Sequence, residues 1–181
     1  MRAASALTAA VAVALAGCAA TPTPPPAAAR SAGAVDAKAA FAKLKTLAGD
    51  WEGGIGAPDG PKGEVRYRVT GAGSALVETQ FPGLAHEMVT VYHLDGNDLV
   101  LTHYCAAKNQ PRMKLASATE TEFVFELAGG TNLDPAKDFH MHDSTIRITA
   151  PGRVESTWYA WSGGKPNPDG IGRFFLAKKG G

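Results

Sequence analysis

The spacing of hydrophobic residues changes near residue 49, from a helical pattern to the alternation of β-strands. Before this point, apolar side chains recur at intervals of three and four residues, which places them on one face of a helix. These residues are Ala40, Phe41, Leu44 and Leu47. Asp36 precedes them, and its side chain can accept hydrogen bonds from the free amides of a first turn. The pattern predicts a short helix after Asp36, with its apolar face against the rest of the domain.

From residue 50 onward, apolar and polar residues alternate, which predicts β-strands. The clearest case is 64–69, where Val65, Tyr67 and Val69 alternate with charged residues. Asp95 and Gly96 suit the tight turn of a hairpin. The predicted strands are 50–55, 64–69, 75–81, 86–94, 99–106, 112–117, 122–127, 140–149, 153–161 and 171–177.

These segments predict an all-β fold: a closed antiparallel meander barrel of about ten strands with a short N-terminal helix. The connections are short and no second helical layer is predicted, so closure is the natural way to remove exposed sheet edges. Gly49 is expected to end the helix in the left-handed conformation. Trp51, two residues later, is expected to close one end of the barrel.

The N-terminal residues predict export and lipid anchoring. After Met1 and Arg2, the apolar run 7–16 is too short to span a membrane permanently. It ends in Leu-Ala-Gly-Cys18, which resembles the bacterial lipobox, whose cysteine is acylated. The alternative is an ordinary signal peptide in which Cys18 is incidental. We expect a signal peptide at 1–17, a Pro/Ala-rich tether at 18–35 and a barrel domain at 36–181.

Sequence and composition limit the classes of binding partner and the cellular compartment to be expected. Ala19 stands where an Asp would signal inner-membrane retention, so the lipobox resemblance implies outer-membrane anchoring with the domain in the periplasm. The 181 residues carry a formal net charge of +1, which gives no electrostatic basis for nucleic-acid binding. The sequence contains no nucleophile elbow, phosphate-binding loop or paired-cysteine metal motif, so nothing positively indicates an enzyme. We expect a monomer or a weak dimer.

Gly49-Asp50-Trp51 after a short helix resembles the G-x-W start of calycin barrels, which include lipocalins, fatty-acid-binding proteins and nitrobindin-like proteins. Segments 101–105, 109–113, 130–135 and 140–142 are similar to a group of uncharacterised bacterial lipocalin-like proteins. The resemblance implies a fold rather than an activity. It also implies a late basic residue over Trp51, with Arg173 as first choice and Lys178 as second. Haem-binding nitrobindin-like relatives use a late axial His, and no His follows His142 here.

Strand parity predicts inward histidines. His103 shares a face with apolar residues of its strand, and His140 and His142 share a face with two isoleucines of theirs. We expect these rings to enter the lumen together with Tyr67 and Thr79. Three interpretations stay open: each ring bonds neighbouring groups at the rim, the rings orient a ligand, or they bind haem or a zinc-like ion.

Two further features complete the candidate site. Gln110 and Arg112 belong to a predicted rim loop that either contacts a polar or anionic ligand or braces the turn. Trp158 is inward by parity and either stacks on a flat ligand or fills space. The sequence therefore favours a binding module for a small apolar or amphipathic molecule. The alternatives are a haem or metal binder, and a structural or partner-binding envelope protein with a filled core.

Overall fold

The structure, a computed structural model, describes residues 36–180 and contains one α-helix and ten β-strands. Helix α1 spans Ala37–Lys45. The strands are β1 Gly49–Ile55, β2 Lys62–Thr70, β3 Ala75–Gln80, β4 Met88–Asp95, β5 Asp98–Tyr104, β6 Gln110–Ala118, β7 Glu122–Thr131, β8 His140–Ala150, β9 Arg153–Ser162 and β10 Lys165–Lys178.

The ten strands form one closed antiparallel barrel. Each strand pairs with its neighbours in sequence, and β1 pairs with β10 to complete the ring. This confirms the predicted all-β meander barrel with a short N-terminal helix, and it is consistent with a calycin-like fold. No strand of the barrel is left with an unpaired edge, the arrangement that prevents edge-to-edge association.

Helix α1 packs at the end of the barrel where β1 begins. Asp36 caps it as predicted, with the Ala39 amide donating to Asp36 Oδ1 at 2.9 Å. Its buried face consists of Ala37, Ala40, Phe41 and Leu44. The helix ends at Lys45 with Thr46 as its C-cap, so Gly49 is not the residue that terminates it. Gly49 is instead the first residue of β1, with φ of 140°.

Trp51 is 3% exposed, and its indole Nε1 donates to the Leu47 carbonyl at 2.8 Å. The cation over its ring is Lys178, with Nζ 5.7 Å from the ring centroid, and not Arg173. The reason is register: Trp51 lies opposite Lys178 in the β1–β10 pair, five positions beyond Arg173. A Cβ on Gly49 would lie 2.6 Å from Lys178 Cε, so the glycine gives this side chain room to reach the Trp51 ring.

Inward side chains form the core of the barrel. The alternation predicted for β2, β5, β6 and β7 is observed, and the fully buried residues include Tyr67, Leu101, Met113, Phe123 and Phe125. Val69 departs from the prediction and is 42% exposed, because β2 ends one residue later. The interior is therefore lined mainly by aliphatic and aromatic groups, and each buried polar group among them requires a partner.

Candidate functional site

The inward face of β3 carries acidic and amide groups. The buried positions of this strand are Leu76, Glu78 and Gln80, and Thr79 is only half-buried on the opposite face. The prediction that Thr79 enters the lumen is therefore wrong. Both faces of β3 carry apolar residues, so parity alone did not determine which face is inside.

Glu78 is 1% exposed and is the acidic residue of the interior. Tyr92 Oη donates to its Oε2 at 2.5 Å, and Gln80 Nε2 donates to its Oε1 at 2.8 Å. Burial raises the pKa of the Glu78 carboxyl, and these hydrogen bonds offset only part of that rise. Burial, reinforced by the Glu78 charge, raises the pKa of both Tyr92 and Tyr67 well above the ordinary value.

His103 lies in the interior as predicted and is 1% exposed. Its Nδ1 shares a hydrogen bond with Thr90 Oγ1 at 2.8 Å, and its ring lies 4.6 Å from the Trp158 ring at a 34° tilt. Burial lowers the pKa of His103 to about 4, so the imidazole is neutral near pH 7. Its second nitrogen, Nε2, has no hydrogen-bond partner among the described residues.

Three other inward polar atoms also lack a partner in the described part of the chain: Ser144 Oγ, Ser156 Oγ and Trp158 Nε1. Ser144 lies directly opposite Trp158 in the β8–β9 pair, and Ser156 is two residues before Trp158 on the same face. We call His103, Trp158, Ser144 and Ser156 the inner polar cluster. Each unpaired buried group costs about 1–3 kcal/mol, so the cluster has unused capacity to bind a molecule that both donates and accepts hydrogen bonds.

His140 and His142 lie away from the inner polar cluster. A bulge between Met141 and Asp143 inserts His142 as an extra residue, and the register then pairs His140 with Trp161. Trp161 is on the opposite face of β9 from Trp158, because side chains alternate along a strand. The three histidines therefore do not converge on one site, contrary to the prediction.

His140 and His142 form a separate cluster with Trp161. The His142 ring stacks on Trp161 at 3.9 Å, and the two imidazoles lie 5.5 Å apart. His140 is buried, and its Nδ1 donates to the Asp138 carbonyl at 2.9 Å. His142 Nδ1 lies 3.1 Å from Asp143 Oδ1. Among residues 36–180, no group of three His, Cys, Asp or Glu side chains is arranged to hold a metal ion.

The predicted rim residues brace loops on the outer surface. Gln110 Oε1 accepts from Thr131 Oγ1 at 3.0 Å and from Asn132 Nδ2 at 2.7 Å, which ties β6 to the end of β7. Arg112 forms an ion pair with Asp95, and both side chains are exposed. Of the two alternatives for this segment, the bracing role is the one that the contacts support.

Of the predicted ligand-binding residues, the structure brings together His103 and Trp158 in the interior. Tyr67 is also buried, but it lies on β2 opposite Glu78. Ser144, Ser156 and Glu78 were not predicted. Ser144 and Ser156 share the parity of Ile146 and Trp158, so the same alternation rule identifies them. The sequence around Glu78 contains no comparable signal.

Comparison with family models and with curated proteins gives no match. No helix in the described part of the chain is both long enough and apolar enough to cross a membrane. Cys18 and the predicted signal peptide and tether lie outside the described residues.

Proposed function

We propose that this protein is a lipid-anchored envelope protein whose barrel interior binds a small uncharged molecule through the inner polar cluster. The observation that carries the proposal is a group of neighbouring buried polar atoms without partners, on His103, Trp158, Ser144 and Ser156. A few convergent polar groups within an apolar lining are the usual form of a small-molecule site.

The charges of the interior select the class of guest. No Lys or Arg among the described residues is buried, and burial keeps His103 neutral. A buried anion requires a paired cation, so this interior does not favour carboxylate or phosphate guests. The Trp158 indole N–H can only donate, so it fits a carbonyl or ether oxygen, and the serine hydroxyls fit either role.

The membrane assignment rests on the sequence. The apolar run before Cys18 and the small residues beside it support acylation. Several acyl chains give stable anchoring where a single chain is marginal. The lack of Asp after Cys18 supports the outer membrane, with the barrel facing the periplasm.

The test is to purify the protein from its own host, separate it by size exclusion, and analyse it by native mass spectrometry. We expect an organic adduct that denaturation releases. Ser144→Ala and Ser156→Ala together should weaken its binding by about thirtyfold, since two hydrogen bonds at roughly 1 kcal/mol each are lost. Thr145→Ala, on the outer face of the same strand as Ser144, is the matched control and should retain the adduct. A wild-type protein with no adduct beyond its acyl chains would contradict the proposal.

A further inference from the structure

A groove lies at the helix-covered end of the barrel, separate from the interior. It has a volume of about 400 Å³ and is lined by apolar residues, including Leu47, Trp51 and Ile148, with Lys43 and Lys178 at its sides. We call it the basal groove. A second hollow of about 570 Å³, between α1 and the β6–β7 turn, adjoins it and shares Lys43. A concave site of this size falls in the range of small-ligand pockets.

The charge of the basal groove is unbalanced. Among the described residues no Asp or Glu lines the groove itself, although Asp36 and Glu120 line the adjoining hollow, and neither Lys43 nor Lys178 forms an ion pair. Other lysines of the chain do: Lys114 pairs with Asp98, and Lys179 pairs with Glu64. Lys178 instead extends over the Trp51 ring, which holds the ammonium beside the apolar floor.

The basal groove differs from the interior in charge, which is the property that selects a ligand. No cation is buried among the described residues of the interior. The basal groove instead combines two ammonium groups without ion-pair partners, an apolar floor and the hydroxyls of Thr121 and Thr149. A carboxylate can accept hydrogen bonds from ammonium and hydroxyl groups, while an attached hydrocarbon contacts the half-buried Ile148 and the small exposed part of Trp51.

We propose that the basal groove is a second binding site, specific for an amphipathic carboxylate such as a medium-chain fatty acid. Lys43 and Lys178 bind the carboxylate, and Leu47, Trp51 and Ile148 contact the chain. The site is separate from the inner polar cluster, because its lining residues lie at the end of the barrel. Its ligand is an anion, whereas the proposed guest of the interior is uncharged.

The test uses the full-length mature protein and two probes, dodecanoate and the neutral dodecanol. Binding is followed by the NMR resonance of the Trp51 indole N–H, with that of Trp158 as the internal reference. Dodecanoate should shift the Trp51 signal and leave the Trp158 signal unchanged, and dodecanol should bind more weakly. A shift confined to Trp158, or equal affinities for the two probes, overturns the proposal. Because the readout is Trp51, its outcome is separate from that of the interior test.

Substitutions of the two lysines then test whether their ammonium groups bind the carboxylate. Lys43→Gln and Lys178→Met should each weaken dodecanoate binding by about two- to fivefold, the range for exposed ion pairs, and the double variant by about tenfold. Lys178→Arg should keep most of the affinity, and Lys38→Gln, on the exposed side of α1, should keep all of it. Unchanged affinity in the double variant overturns the proposal. So does a lysine-dependent dimer that dodecanoate does not dissociate, since a second copy would then occupy the groove.

Discussion

Two buried titratable side chains, His103 and Glu78, make the stability of the folded barrel depend on pH. Burial lowers the pKa of the imidazole and raises the pKa of the carboxyl, so both groups favour the neutral form in the folded protein. Their effects on stability oppose each other. Loss of the neutral imidazole destabilises the fold as pH falls, and ionisation of Glu78 destabilises it as pH rises.

We therefore predict a specific pH dependence for His103. Its pKa is about 4 in the folded protein, below the ordinary value of 6.5. Between these values the unfolded chain binds a proton that the folded protein does not, so the free energy of unfolding decreases as pH falls from 6.5 to 4. The decrease is about 3 kcal/mol, at roughly 1.4 kcal/mol for each pKa unit.

Urea unfolding of the wild type and of His103→Gln at a series of pH values measures this effect. Both proteins contain Glu78, so its opposing contribution cancels in the difference. The advantage of the wild type over the variant should shrink toward pH 4. Parallel curves for the two proteins between pH 4 and 6.5 would show that the ring is already solvated in the folded protein.

At the scale of elements, the G-x-W segment links α1, β1 and β10. The Trp51 indole bonds the carbonyl of Leu47 just after the helix, and the Lys178 side chain crosses Gly49 to reach the same ring. The end of the helix, the first strand and the last strand therefore share one contact. The glycine of the motif leaves room for Lys178, and its φ of 140° is a backbone conformation that other residues rarely adopt.

A double-mutant cycle tests this contact. Trp51→Ala should destabilise the protein by about 3–5 kcal/mol, as a large core truncation. Lys178→Ala should cost about 0.5–1 kcal/mol, and less when Trp51 is already absent, because the two side chains touch. Arg173 is the matched control. It lies five residues from Lys178 along β10, about 16 Å, so Arg173→Ala and Trp51→Ala should be additive. Strong coupling to Arg173 in place of Lys178 would contradict the observed register.

How far strand alternation predicts the site depends on the element. In β5 and β9 one face is clearly apolar, so the inward positions of His103 and Trp158 follow from the sequence. In β3 both faces carry apolar residues, and the acid on the inner face, Glu78, is accommodated only through hydrogen bonds from other residues, among them Tyr92 on the next strand. In β8 one inserted residue moves His142 out of register, and a bulge leaves no reliable trace in the hydrophobic pattern.

At the scale of the whole molecule, most of the architecture follows from the sequence, because ten short alternating segments with short connections have few other ways to bury their apolar faces. The location of the basal groove does not. It depends on how α1 lies across the end of the barrel, which places Lys43 of the helix and Lys178 of the last strand on the same groove. That placement is a tertiary packing result with no counterpart in local periodicity.

The proposed lipid anchor is also a property of the whole molecule, and it can be tested at Cys18. Cys18→Ser should give a protein that folds normally but no longer sediments with membranes, because the acylated residue is lost. Metabolic labelling with a radioactive fatty acid, with Cys105→Ser as the control, checks the assignment. Label should be lost in Cys18→Ser and kept in Cys105→Ser, and equal labelling of all three proteins would disprove acylation at Cys18.

The pairing of β1 with β10 has a consequence for how the chain is made. The first strand can acquire its second neighbour only after the last strand has been synthesised, so completion of the fold is a non-local event. A chain that emerges end first from a ribosome or an export channel cannot lock into its native state while its C-terminal strand is still inside. Premature termination anywhere before residue 174 should therefore leave an open sheet with two unpaired edge strands. Chaperones and proteases would be expected to bind such a chain.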